Sequence, residues 1–296
     1  MTLSSYWIGK YEVTNLQYAD VLKWALAQGY LKDAAGDPWT GTGDIYGGGN
    51  RQILLAIGES TCNIQYSGEV FSCKTRVGLG NYSMDTHPVI HVSWYGAVAF
   101  CNWLSEWQGV TPCYDMSSAN WPLTVPPPTS GGYRLPTEAE WERAAAWDGS
   151  KHWIYGFTSD TLTGKNRCNY RDFSPNYVNP LGLTSYPYTS PVGWFDGVHM
   201  SPNGSIATVS STSPVGCYDM SGNVWEWCHD WHDDAYYSGG SMTNPTGPPT
   251  ACTYRVMRDG CGHDYYYYCR SASRDYYNRL PSFSHNRLGF RVVRTP

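Results

Sequence analysis

A chain of 296 residues, 41% of them apolar and 15% charged, can bury a sizeable core as one large domain or two small ones. Twenty basic against 25 acidic residues leave a net charge near −5 and no cationic stripe for a phosphate backbone, which excludes nucleic acid as an expected partner. No apolar run approaches the roughly 20 residues of a bilayer crossing, and Met1 to Lys10 lacks the charged start and hydrophobic middle of a secretory signal, so neither membrane insertion nor export is expected. Ten cysteines contain no Cys-x2-Cys pair and leave the redox compartment open. The 14 Trp, 25 Tyr, 31 Gly and 19 Pro favour short strands and long turn-rich loops anchored by aromatics, hence a loop-heavy α+β domain.

In chain order, Thr14-Asn15-Leu16-Gln17 has capping-box form and predicts a helix through Tyr18, Val21, Leu22 and Leu26, ending near Gly29. His87 to Val92 reads as a short strand, after which Ser93 caps a second amphipathic helix from Trp94 to Glu106. Thr137 and Glu140 are spaced to satisfy each other's backbone amides, with acidic residues favouring the helix dipole, so a third helix runs to about Trp147. Long inserts rich in Gly, Ser, Pro and Asn occupy roughly 33–86, 108–132, 158–190 and 196–213. Aromatic anchors continue throughout and no low-complexity run divides the chain, so a single domain over 1–296 without internal repeats is expected.

Five segments together carry a resemblance. Ile8-Gly9-Lys10-Tyr11-Glu12-Val13-Thr14-Asn15, His87-Pro88-Val89 through Cys101-Asn102-Trp103-Leu104, and Tyr133-Arg134-Leu135-Pro136-Thr137-Glu138-Ala139-Glu140-Trp141-Glu142 are followed by Gly222-Asn223-Val224-Trp225-Glu226-Trp227 and Gly289-Phe290-Arg291-Val292. In this order they resemble the formylglycine-generating-enzyme, or sulfatase-modifying-factor, domain. The resemblance implies an α+β, C-type-lectin-like fold with long loops and little regular secondary structure.

Catalytic members carry two cysteines about five residues apart, binding copper, after an Arg-Val-x-Arg-Gly-Gly-Ser-Trp-like strand. Here that strand is Arg255-Val256-Met257-Arg258-Asp259-Gly260-Cys261-Gly262, and no further cysteine precedes Cys269. Neither Cys261 nor Cys269 matches the catalytic pair, and Cu(I) needs two converging sulfurs, so the expectation is no copper, no catalytic residue and no enzymatic activity. The His-rich stretch Cys228 to Asp234 would suit a divalent metal by ligand type, but reads as a polar loop after the Trp-rich motif. The resemblance also implies structural Ca2+ held by Asp219, the carbonyls of Gly222 and Val224, and Glu226, all hard oxygen donors. A second such site would begin at Asn169 and the Tyr170 carbonyl, with Thr184 where a carboxylate belongs.

Residues 259–286 combine six Tyr with Ser, Asp, His and Asn, the composition of a binding surface; a Tyr-rich packing belt is the alternative. If Tyr265 to Tyr268 lie on a strand, alternation forbids burying them all on one face. The segment also resembles the variable region of diversity-generating-retroelement proteins, which ends just before a Gly-Phe-Arg motif. That resemblance implies that Asp259, Cys261, Gly262, His263, Asp264, Tyr265, Tyr266, Tyr267, Tyr268, Ser273, Asp275, Tyr276, Tyr277, Asn278, Ser282, Phe283, Ser284, His285 and Asn286 form a diversified ligand-binding site. The expected function is therefore non-enzymatic binding of a protein or cell-surface ligand, displayed on a virion such as a phage tail or on a cell surface. The alternatives are a formylglycine-generating or related oxygen-dependent enzyme, and a calcium-dependent lectin, for which the loop lacks a sugar-binding Glu-Pro-Asn type motif.

Overall fold

Local chemistry places the helices where the caps predict. In the computed structural model, which describes residues 1–117, 131–172, 179–274 and 279–296, Thr14 Oγ1 accepts from the Gln17 amide and Gln17 Oε1 from the Thr14 amide, opening α1 (Asn15–Ala27). Before it lies β1 (Trp7–Ile8). The insert at 33–86 folds into three antiparallel hairpins: β2 (Ile45–Gly47) with β3 (Gln52–Leu55), β4 (Ile64–Ser67) with β5 (Val70–Cys73), and β6 (Thr75–Val77) with β7 (Asn81–Ser83).

The strand expected over 87–92 is not formed. This segment makes only isolated bridges, Thr14 to Pro88 and Leu55 to Val92, and His91 has φ of 60°, which breaks strand alternation. Ser93 then caps α2 (Trp94–Trp107), its hydroxyl accepting from the Gly96 amide. A Cβ at Gly96 would lie 2.0 Å from the Leu54 carbonyl oxygen, so this glycine lets α2 press against β3.

After β8 (Tyr133–Arg134), α3 (Glu138–Ala146) opens with the expected Thr137/Glu140 box. Arg134 forks onto Glu140 at 2.6 and 2.7 Å and locks this first turn to the strand before it. The remaining elements are β9 (Trp225–Trp231), a 3-10 turn at Tyr236–Gly239, β10 (Arg255–Arg258), β11 (Leu288–Gly289) and β12 (Val293–Arg294).

Two three-stranded sheets organise the fold, ordered β1-β12-β8 and β10-β9-β11. Every residue of β9 is buried, as a strand covered on both faces must be. Trp141 and Trp227 are fully buried, and Trp94 stacks beneath the Arg255 guanidinium at 3.7 Å. The second sheet positions the loop that follows. β10 is antiparallel to β9, with Arg258 opposite Glu226, whereas β11 is parallel to it, with Leu288 opposite Trp225. The chain leaving β10 and the chain entering β11 therefore meet at the start of β9. Among the described residues, no helix is long and apolar enough to cross a membrane.

Candidate functional site

Asp259 turns the chain out of β10 with φ of 76°, a conformation costly for a residue other than glycine. Its Oδ1 accepts from the amides of Gly222 (2.5 Å) and Gly260 (2.8 Å), which holds the turn against the Gly222-Asn223 segment. The loop then brings Cys261 beneath Asp264. Cys261 Sγ donates to Asp264 Oδ2 at 3.0 Å, and Trp225 Nε1, from the first residue of β9, donates to the same oxygen at 2.7 Å. Burial first, then the Asp264 carboxylate, pushes the Cys261 thiol well above the ordinary thiol range.

Beside this pair lies a cavity of about 170 Å3, lined among others by Trp225, Tyr268, Arg279, Phe283, His285 and Arg287. His263 packs on the other side against Tyr186 and Tyr188. Burial and Arg287 lower its imidazole to about 4, so it is neutral at pH 7. A larger cavity of about 520 Å3 opens against α3, but both of its carboxylates, Glu138 and Glu142, are held by Arg258, and Glu138 by Arg274 as well. That cleft has no carboxylate left for chemistry.

The residues expected to form one solvent-facing surface divide. Asp259, Cys261 and Gly262 are buried; His263, Asp264, Ser273, Phe283, Ser284, His285 and Asn286 are half-buried, and Ser282 is exposed. Tyr265 to Tyr268 form a turn, closed by the Tyr268 amide on the Tyr265 carbonyl, so strand alternation does not apply. Only Tyr266 of the four is exposed; Tyr265 stacks with Tyr267, and Tyr268 packs edge-on to Trp225. Asp275, Tyr276, Tyr277 and Asn278 lie outside the described residues. Sequence reasoning singled out neither Arg279 and Arg287, which line this cavity, nor the Trp225 indole N–H as a donor to Asp264.

The side chains expected to hold a metal already have protein partners. Glu226, expected to bind Ca2+, gives Oε1 to Arg291 at 2.6 Å and Oε2 to Arg291 at 2.7 Å and Trp141 at 2.8 Å. Asp219 Oδ2 accepts from the Gly193 amide, and the Gly222 amide points to Asp259. Of the expected set of Asp219, Gly222, Val224 and Glu226, the Glu226 carboxylate is therefore already neutralised by a guanidinium. Of the two cysteines in residues 259–286, Cys261 donates to Asp264, and burial and then Cys168 push the Cys269 thiol well above its ordinary range. Among the described residues, no group of three or more His, Cys, Asp and Glu is placed to hold a metal ion.

Arg291 is surrounded by four buried carboxylates, Glu12, Asp219, Glu226 and Asp259. Burial, then repulsion from these neighbours, holds Glu12 well above the usual carboxylate range, and burial raises Asp219 from 3.8 to about 6. The raised Asp219 carries an extra proton in the folded state between those values, so its contribution to stability is largest below the lower one and is lost as pH rises through the higher. The stability difference between wild type and Asp219→Asn is expected to shift against wild type by about 2 kcal/mol from pH 4 to pH 7. Urea unfolding at both pH values measures it, and a constant difference would contradict this electrostatic assignment.

Over residues 1–296 the chain matches the sulfatase-modifying factor enzyme 1-like domain. It is 30% identical over 303 aligned residues to the formylglycine-generating enzyme of Thermomonospora curvata, covering 99% of this chain and 83% of that protein. The formylglycine-generating enzyme of Mus musculus is 28% identical, over 99% of this chain and 67% of its own. Among solved structures, Treponema denticola variable protein 1 superposes with a TM-score of 0.61 at 25% identity, covering 99% of this chain and 86% of that one. These findings bear out the α+β C-type-lectin-like fold and the likeness to a variable protein. They correct the expectation of a non-enzymatic ligand-binding protein, because relatives 27–33% identical to it are formylglycine-generating enzymes by name. That expectation rested on a missing cysteine pair, whereas folding supplies a thiol and a carboxylate in contact at the start of the same loop. The chain belongs to the sulfatase-modifying factor enzyme 1-like family.

Proposed function

We propose that this chain is an enzyme of the formylglycine-generating type that oxidises a cysteine side chain of a polypeptide with dioxygen to an aldehyde, the sulfur leaving as sulfide and an external thiol reductant supplying the second pair of electrons that takes dioxygen to water. The observation that carries this reading is the contact of buried Cys261 with Asp264 at 3.0 Å, of which Asp264 also lines a cavity walled by aromatic rings. Asp264 Oδ2 is placed to take the proton from Cys261 Sγ, and the Trp225 indole N–H on the same oxygen holds the carboxylate in position. Tyr268 and Phe283 line the cavity on the Asp264 side of the pair. The relatives named formylglycine-generating enzyme support the substrate class. No step is assigned to copper.

The test incubates the full chain with a cysteine-containing peptide, oxygen and a thiol reductant, trapping aldehyde with a hydrazide and reading the product by mass spectrometry. Wild type is expected to form aldehyde only when oxygen is present, and Cys261→Ser to lose at least about a thousandfold in rate, as removal of a reacting nucleophile does. Absence of aldehyde from wild type, or full activity in Cys261→Ser, would count against the assignment.

A further inference from the structure

The cavity of about 520 Å3 against α3 lies apart from the proposed reaction, for neither Cys261 nor Asp264 lines it. Three arginines do, Arg143, Arg258 and Arg274, against two carboxylates, Glu138 and Glu142. Glu138 Oε1 accepts from Arg258 at 2.6 Å and from Arg274 at 2.7 Å, and its Oε2 accepts from Arg274 at 3.0 Å. Glu142 Oε2 accepts from Arg258 at 2.7 Å, and its Oε1 lies 3.0 Å from His152 Nε2. Every carboxylate oxygen is therefore taken. Arg143, exposed on α3, has no hydrogen-bond or ion-pair partner among the described residues and is the cation left over. Two donors in the wall also lack an acceptor: Arg258 is 1% exposed with its Nε buried and unpaired, and the Tyr237 hydroxyl is buried and unpaired. Burial, then Asp230 and Glu138, hold the Tyr237 phenol well above its ordinary range, so its proton stays on. A surplus guanidinium and unpaired donors make the potential of this cavity positive.

We infer that this cavity is a second binding site of the protein, for a small aromatic carboxylic acid, with Arg143 pairing its carboxylate and Trp147 and Tyr237 packing its ring. A volume of about 520 Å3 lies in the range of small-molecule sites and holds a whole molecule of this class. Leu3 and Ala139 extend the apolar wall beside the two rings, a lining that a wholly polar anion such as a sugar phosphate leaves unmatched. A planar guanidinium matches a carboxylate with two parallel N–H donors, and Arg143 has no competing acceptor to give up. An amine in the same place meets Arg143, Arg258 and Arg274 as like charges, the repulsive element that specificity requires.

Calorimetric titration of the full chain with indole-3-acetate, indole-3-acetamide, tryptamine and acetate tests the site. Indole-3-acetate is expected to bind about fivefold tighter than its amide, the scale of one partly exposed ion pair, and the preference to shrink in high salt. Tryptamine, with the ring and the opposite charge, is expected to bind more weakly than the amide, and acetate, with the charge and no ring, not to bind measurably. Arg143→Ala removes an exposed, unpaired side chain and is expected to keep the fold while bringing acid and amide to one affinity. Cys261→Ser is expected to bind indole-3-acetate as wild type does, because that residue does not line the cavity. No binding of indole-3-acetate to wild type, equal affinity for acid and amide, binding of acetate as tight as that of the aromatic acid, or an acid preference that survives Arg143→Ala would overturn the site. Loss of binding in Cys261→Ser would overturn its separateness from the thiol. The wild-type comparison of the four compounds needs no variant, so a misfolded variant leaves it decisive.

Discussion

Arg291→Met is expected to cost about 3–5 kcal/mol of folding stability, because it strands the fully buried Glu226 carboxylate without its cation. The guanidinium also donates to the carbonyls of Gly9, Tyr218 and Asp219, so one side chain ties the start of the chain, the turn before β9 and β9 itself together. A loss of that size is a large part of the 5–15 kcal/mol typical of a domain. Denaturant unfolding measures it, and a cost below about 1 kcal/mol would contradict the pairing. Combining Arg291→Met with Glu226→Gln removes the stranded charge and is expected to recover much of the loss, since neutralising both partners of a buried pair costs less than deleting one. If calcium held Glu226, the arginine change alone would be mild and its effect would depend on chelator.

Asp264→Asn is expected to lower the rate of thiol oxidation by about 10^2 to 10^4-fold, the usual contribution of a placed general base. The amide oxygen still accepts from Trp225 Nε1, so the wall of the cavity keeps its anchor, but an amide cannot take the Cys261 proton. The pH–rate profile separates this role from a structural one: raising the pH is expected to restore part of the rate in the variant, as solvent begins to remove the thiol proton. Unchanged turnover with an unchanged profile would exclude Asp264 as the base.

The three helices were legible because their signals are local. A cap satisfies an amide two or three residues away, so Thr14 with Gln17, Ser93 with Gly96 and Thr137 with Glu140 mark the starts of α1, α2 and α3 whatever the rest of the chain does. The family, too, was legible, in motifs that run from Ile8 to Val292. The Tyr run misled because residue type alone does not separate a strand from a turn, and only the Tyr268-to-Tyr265 hydrogen bond decides it.

The chemistry of the site was left to tertiary structure. Glu226 looks like a metal ligand until the chain returns 65 residues later with Arg291, whose guanidinium satisfies both of its oxygens. Trp225 reads as a core anchor until β10 delivers Asp264 to its indole nitrogen, 39 residues on. Arg287, just before β11, and Arg279, bridged to Arg255 at the start of β10, line one cavity only because β10 and β11 flank the same strand. Each of these pairings joins segments far apart in sequence, and a charge or donor shows its role only when burial has removed the water that would otherwise have served as its partner.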